Sequence, residues 1–209
     1  MPSSLPSIVI IDCGVGNHQS VWNALKLLGY SATITSSPDA IAGASHLIFP
    51  GVGSFSEGME GVSKRNLTPL LTEEVLKKKK PILGICLGMQ LFATEGHEYG
   101  NFKGLGWIPG TVEQIDTSTS RLRLPHIGWN DVSITRDHPI TRGYSQKPIF
   151  YFVHSYHLIP DDSQVILGTA DYGSAVTAII AKDNIVGVQF HPEKSHEDGL
   201  QIFRNFLAM

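Results

Sequence analysis

Three short apolar runs constrain this chain more than any other feature. They are SIVIID (7–12), HLIFP (46–50) and PILGIC (81–86). Each is short for a helix and lacks the polar alternation of a half-exposed strand. Such runs suit strands covered on both faces, as in a parallel sheet flanked by helices. After the first run, Val21, Ala24, Leu25 and Leu28 recur at helical spacing, and Gly29 is placed to stop the helix. Residues 67 to 80 also read as helix, as does LGMQLFATE (87–95) after the third run. Strand–helix alternation of this kind predicts a parallel sheet with crossover helices.

The second half has a different character. PIFYFVHSYHL (148–158), QVILGTADYG (164–173), AVTAIIAKD (175–183) and NIVGVQFHP (184–192) read as strands with short connections. Asp183–Asn184 suits a tight hairpin turn, and HEDGLQIFRNFLAM closes the chain as an amphipathic helix. The expectation is an α/β fold with a mixed sheet and an antiparallel portion, residues 1–209 forming a single domain. Ligands of such sheets sit beyond the C-terminal ends of the parallel strands.

Charge and cysteine content exclude several function classes. The formal net charge is −3, which argues against a nucleic-acid or membrane-surface binder. The basic cluster Lys77 to Lys80 reads as the solvated end of a helix. Two cysteines, Cys13 and Cys86, make no disulfide framework, and no Cys/His spacing suggests a metal site. The N-terminal segment lacks the basic residues and apolar length of a signal or membrane span. These features predict a soluble protein of a reducing compartment, the cytoplasm. Gly14-Val15-Gly16 hints at a dinucleotide loop, but Gln19 stands where its third glycine belongs, so no cofactor is expected. Cys13 reads as a packing residue. His18, His46, His97, His138 and His196 have no partner pattern and read as surface or core residues.

Gly84-Ile85-Cys86-Leu87-Gly88 has the glycine spacing of a nucleophile elbow, with cysteine in the serine position. Glycines permit a strained strand-to-helix turn, and a helix N-terminus favours a thiolate. A buried packing cysteine would look the same in isolation. The second motif, VGVQFHPEKS, sets His191 and Glu193 two residues apart. In an extended segment both point to one face, so Glu193 can hold one ring nitrogen of His191 and leave the other for a nucleophile. The third, FPGVGSF, is a glycine-bracketed loop after a strand that can present N–H groups to an anion.

GICLGMQ together with QFHPE resembles the class I (triad) glutamine amidotransferases, over essentially the whole chain. The resemblance implies a three-layer sandwich with a mostly parallel sheet, and a catalytic triad of Cys86, His191 and Glu193. It implies an oxyanion hole from Leu87 and the Val52–Gly53 loop, and glutamine binding by Gly53, Gln90, Ser155 and Tyr156. IDCGVGNHQS, PHIGWN and YFVHSYH resemble one branch, whose members are separate glutaminase subunits in histidine biosynthesis. That branch implies a heterodimer in which ammonia passes through a tunnel to a (β/α)₈ cyclase subunit, with Trp129, Tyr151 and Lys194 at the interface. It also implies an oxyanion loop that rests with a carbonyl turned into the site until the partner engages. Cys13 stands where an aromatic residue is expected in the branch. Three other readings compete: a free-standing cysteine hydrolase, a non-catalytic regulatory module, and a duplicated subunit that feeds ammonia to another acceptor such as a surface sugar.

Overall fold

The computed structural model describes residues 6–118, 120–144 and 147–209. The first half runs β1 (Ile8–Ile11), α1 (His18–Leu27), β2 (Ala32–Thr35), α2 (Pro38–Gly43), β3 (His46–Gly51), α3 (Phe55–Lys64), α4 (Leu67–Leu71), β4 (Ile82–Cys86) and α5 (Leu87–Gln90). The second half adds β5 (Glu95–Gly96), β6 (Phe102–Lys103), β7 (Gly110–Gln114), β8 (His126–Asp131), β9 (Ser133–Ile134), β10 (Ile149–His154), β11 (Tyr156–Pro160), β12 (Ile166–Asp171), β13 (Ala175–Lys182), β14 (Ile185–Val188) and α6 (His196–Leu207).

The main sheet has eight strands in the order β2-β1-β3-β4-β14-β13-β12-β9. The strands from β2 to β14 pair in parallel. From β14 to β9 the pairing is antiparallel. One apolar cluster joins Val9, Ile11, Phe49 and Ile82 to α3 and α4. The other joins Ile8, Ile10, Leu83 and Ile85 to α1 and α6. Residues of opposite parity in β1 thus face opposite clusters, which is why the run IVII has no polar member. The arrangement is the expected sandwich of helices, sheet and helices.

Several elements differ from the sequence reading. The run 148–158 is two strands: β10 pairs with β8, whereas β11 pairs with β7 in a separate four-stranded sheet. The chain changes partner at Ser155, whose carbonyl accepts from Ile115 N at 2.9 Å. The helix after Cys86 stops at Gln90 rather than residue 95, because the Leu91, Phe92 and Ala93 carbonyls are taken by the backbone of residues 105–108. The helix from 67 ends in a π-helical turn, Thr72–Lys77. Lys80 is not a solvated helix end: it is buried against Glu74 at 2.7 Å and donates to the Ile41 and Ala42 carbonyls.

Burial also isolates three histidines. His126, His154 and His157 are 2%, 6% and 6% exposed. Burial lowers His126 and His157 to about 4 and His154 to about 3, from an ordinary value of 6.5. The unfolded chain therefore binds more protons than the folded one below pH 6.5. Their stabilising contribution is complete above that pH and is lost as pH falls through the folded-state values. Urea melts taken stepwise from pH 8 to pH 4 should show falling midpoints below about pH 6.5. A His157→Gln variant should show a shallower decline.

Candidate active site

β4 ends at Cys86, and the chain turns at once into α5. Cys86 has φ 53° and ψ −112°, a left-handed backbone seldom adopted by a residue with a side chain. The strained residue is thus the cysteine itself. The glycines serve a different end: a Cβ at Gly88 would lie 1.7 Å from the Phe49 carbonyl oxygen, and one at Gly84 would lie 2.5 Å from Phe92. Their absence of side chains lets α5 pack flat on β3 and β4.

β14 lies beside β4, in parallel register from Ile185↔Ile82 to Val188↔Ile85. Residues beyond its end therefore reach the same sheet edge as Cys86. His191 Nδ1 lies 2.8 Å from Glu193 Oε1, and both side chains are almost fully buried. The His191 N–H donates to the Tyr151 carbonyl at 2.9 Å, and Ser195 Oγ donates to the His191 carbonyl at 2.6 Å. His191 Nε2 has no hydrogen-bond partner among the described residues. It belongs to a cavity of about 340 Å³ that Cys86 also lines. Burial alone would lower the His191 pKa, but Cys86 and the Glu193 carboxylate outweigh it and raise it to about 10. The environment thus favours an imidazolium beside the sulfur, the state that follows proton transfer from a thiol.

The PGVG loop closes one side of the cavity. Val52 and Gly53 line it, and Gly53 has φ +101°. A Cβ at Gly51 would lie 2.9 Å from that of Leu87, so glycine lets the loop touch the elbow. Downstream, Ser54 caps α3 in a reciprocal box with Glu57, which takes the Ser54 N–H at 3.0 Å. Phe55 N donates to Glu98 Oε2 at 2.8 Å. Those two amides are engaged, leaving Val52 and Gly53 as the loop's donors nearest the elbow. Leu87, first residue of α5, has an N–H with no intrahelical acceptor.

Gln90, Ser155 and Tyr156 line the same cavity. Gln90 Nε2 donates to the Tyr156 carbonyl at 2.8 Å and to Gln189 Oε1 at 3.1 Å. Both its protons are therefore used, and the atom it can offer a ligand is its carbonyl oxygen. Trp129, Tyr151 and Lys194 gather elsewhere. Trp129 is 49% exposed and pairs across the strands with Tyr151, whose ring lies 5.6 Å below the Lys194 ammonium. His196, read as partnerless, stacks on Trp129 with centroids 4.8 Å apart.

The chain matches the model of the family glutamine amidotransferase class-I over residues 9–209. It belongs to that family. Among curated relatives, a Pseudomonas aeruginosa protein named imidazole glycerol phosphate synthase subunit HisH 2 is 46% identical over 97% of this chain and 99% of its own. Imidazole glycerol phosphate synthase subunit HisH of Pelagibacter ubique is 42% identical over 97% and 100%. The fold also superimposes on PurLQS from Thermotoga maritima, with TM-score 0.73 at 19% identity over 98% of this chain and 99% of the other.

The cavity at Cys86 has residues that sequence reasoning missed. Glu98 and His154 line it, and buried Gln189 approaches Cys86. Glu98 sits in a connecting stretch without periodicity, so its sequence carried no signal. His154 belongs to a run of buried histidines whose tautomers follow from their partners. Its Nδ1–H donates to the Tyr156 carbonyl at 2.9 Å, so its Nε2 accepts from His126 Nδ1–H at 3.1 Å, and His126 Nε2 accepts from Asn130 at 3.2 Å. Two half-buried histidines play other parts: His97 lies between Glu95 and Glu113, and His138 caps a turn. At Gly14, an Arg65 guanidinium fills the space a side chain would need, and Arg65 bonds the carbonyl of buried Cys13.

The contact at Gly88 makes a direct stability test. Gly88→Ala should destabilise the chain by about 3 kcal/mol or more, because the obstruction is backbone and cannot rotate away. Chemical denaturation should detect this, whereas Gly43→Ala, with open space around it and no positive φ, should cost much less.

Proposed function

We propose that the chain is the glutaminase subunit of an imidazole glycerol phosphate synthase. It hydrolyses glutamine to glutamate and passes ammonia to a (β/α)₈ cyclase subunit. The cyclase converts an N-substituted aminoimidazole carboxamide ribonucleotide, PRFAR, to imidazole glycerol phosphate and AICAR. One observation carries the chemical part: a buried His191–Glu193 pair leaves Nε2 unpaired in a cavity shared with an elbow cysteine. The near full-length likeness to named HisH subunits supports the biological part.

In this reading Cys86 Sγ attacks the side-chain amide carbon while His191 Nε2 takes the thiol proton. The oxyanion is held by the Leu87 N–H and by that of Val52 or Gly53. As the tetrahedral intermediate collapses, the C–N bond breaks and His191 returns the proton to the departing ammonia. Water then attacks the thioester, giving its proton to His191, and Cys86 leaves with glutamate released. Glu193 keeps Nδ1 protonated and the ring oriented. Gln90 offers its carbonyl oxygen to the substrate, Gly53, Ser155 and Tyr156 shape its seat, and the Glu98 carboxylate suits its ammonium group.

Residues 1–209 act as one amidotransferase domain in the cytoplasm, without a metal or cofactor of its own. The exposed cluster of Trp129, Tyr151 and Lys194 meets the cyclase. Tyr151 supports this role because its backbone bonds both His191 and Ser195. The PGVG loop gates the reaction, with the partner and its nucleotide favouring the orientation that completes the oxyanion hole.

A second reading has a specific support. The Pseudomonas, Nitrobacter winogradskyi and Methanococcus maripaludis relatives carry the numbered name HisH 2. A duplicated subunit with this same site could feed ammonia to a different acceptor, such as a surface sugar. Rescue of a histidine auxotroph lacking the glutaminase subunit favours the first reading; failure with a soluble, folded chain favours the second.

Glutamate release should be low for the chain alone and rise about 10²–10³-fold with cyclase and PRFAR, the size of one oxyanion donor. A high rate for the isolated chain would sink the gating while leaving the triad. Cys86→Ala should abolish turnover, and Glu193→Gln should lower kcat by about 10²–10⁴ through loss of the correct tautomer. Glu98→Gln should act mainly on KM for glutamine.

A further inference from the structure

The mechanism above leaves a buried amide beside the nucleophile without a task. Gln189 follows β14 and is 0% exposed. Its Nε2 lies 3.6 Å from Cys86 Sγ. Its Oε1 accepts from Gln90 Nε2 at 3.1 Å, and its backbone N–H donates to the Ala178 carbonyl at 2.9 Å. Gln90 is held in turn by the Tyr156 carbonyl, which also receives the His154 proton.

These partners fix the orientation of the Gln189 amide. Gln90 can present only a donor to it, since the Tyr156 carbonyl holds the Gln90 amide with its Nε2 on that side. A flipped Gln189 would set NH₂ against NH₂ and an oxygen against the sulfur. The group aimed at Cys86 is therefore an N–H donor. Burying an amide is costly unless it is bonded, and a donor bonds a charged acceptor about twice as strongly as a neutral one. This contact favours the sulfur most when it is a thiolate.

We propose that Gln189 is a further catalytic residue, whose Nε2–H holds the Cys86 sulfur and stabilises its thiolate. It acts twice, as the thiol proton passes to His191 Nε2 and again as the thioester C–S bond breaks and the electron pair returns to sulfur. Gln90 and the Tyr156 carbonyl position it. The assignment rests on Cys86 being the nucleophile of the proposed function.

The test is the rate at which iodoacetamide alkylates Cys86 at neutral pH, read by peptide mass spectrometry so that Cys13 is scored separately. This needs no glutamine chemistry, so it reports on Gln189 even if the amidotransferase reading fails. Gln189→Leu removes both bonds. Gln189→Met keeps the length of the side chain and removes the donor without adding a charge, which covers the case in which the leucine variant does not fold. Because the thiolate is the reacting species, either folded variant should label about tenfold more slowly. In the complex with cyclase, kcat should fall about 10-fold to 100-fold with KM within about twofold. Labelling at the parent rate in a folded variant overturns the proposal. So does a rise in KM alone, which would make Gln189 a holder of substrate. Slowed labelling in a chain whose parent never releases glutamate would keep Gln189 on the sulfur and sink the functional reading instead.

Discussion

The Phe49 carbonyl oxygen occupies the space that a side chain at position 88 would need, and the site depends on that contact. It lets α5 lie against β3, which brings the Leu87 amide to the PGVG loop and forces the turn at Cys86. The turn holds a side-chain-bearing residue at φ 53°, a conformation costing of order 1–3 kcal/mol. Packing on both faces of β4 holds it there. Ile82, Leu83 and Ile85 are each at most 1% exposed, so the strand cannot shift to relieve the strain without opening a core.

Electrostatics at the site follow from the same burial. The His191 imidazole is removed from water, which opposes its charge, yet one carboxylate and one sulfur reverse that tendency. The three histidines on β8, β10 and β11 have no carboxylate bonded to the ring, Glu113 acting on His157 only at a distance, and burial lowers all three. One residue type thus holds a proton in one place and serves as a neutral hydrogen-bonding strut in another. The sulfur of Cys86 and the Glu193 carboxylate beside the ring make the difference.

Much of this was legible in the sequence, for identifiable reasons. Strands β1, β3 and β4 announced themselves because double-sided burial leaves continuous apolar runs. The hairpin at Asp183–Asn184 joins β13 to β14 as expected, with Asp183 at φ 53°. The grouping of Cys86, His191 and Glu193 was legible because each sits where a strand ends. β2 was not named: its ATIT segment is at the sheet edge and only partly covered. α3 was missed because Gly58 and Gly61 weaken its helical signal, although each admits a close neighbour, Leu91 and the Cys13 carbonyl. The small sheet of β5, β6, β7 and β11 has two-residue members that no periodicity can reveal. Glu98 and Gln189 were hidden because partners remote in sequence define what they do.

The adjacency of β4 and β14 has a broader consequence. Cys86 and His191 are set by two neighbouring parallel strands, whereas the chain between them makes an excursion into the smaller sheets of β5–β8, β10 and β11 and adds β9, β12 and β13 to the antiparallel flank of the main sheet. That excursion supplies the far cavity wall, from Val153 to Tyr156, and the exposed aromatic face. Cys86 and His191 are therefore carried by one pair of strands and the exposed aromatic face by another segment of the same polypeptide. The excursion's outer side chains can change without moving Cys86 relative to His191, whereas its backbone is tied to the site through the Tyr151 carbonyl and the His191 N–H. A scaffold so divided can vary its exposed aromatic face while leaving the cavity at Cys86 unchanged.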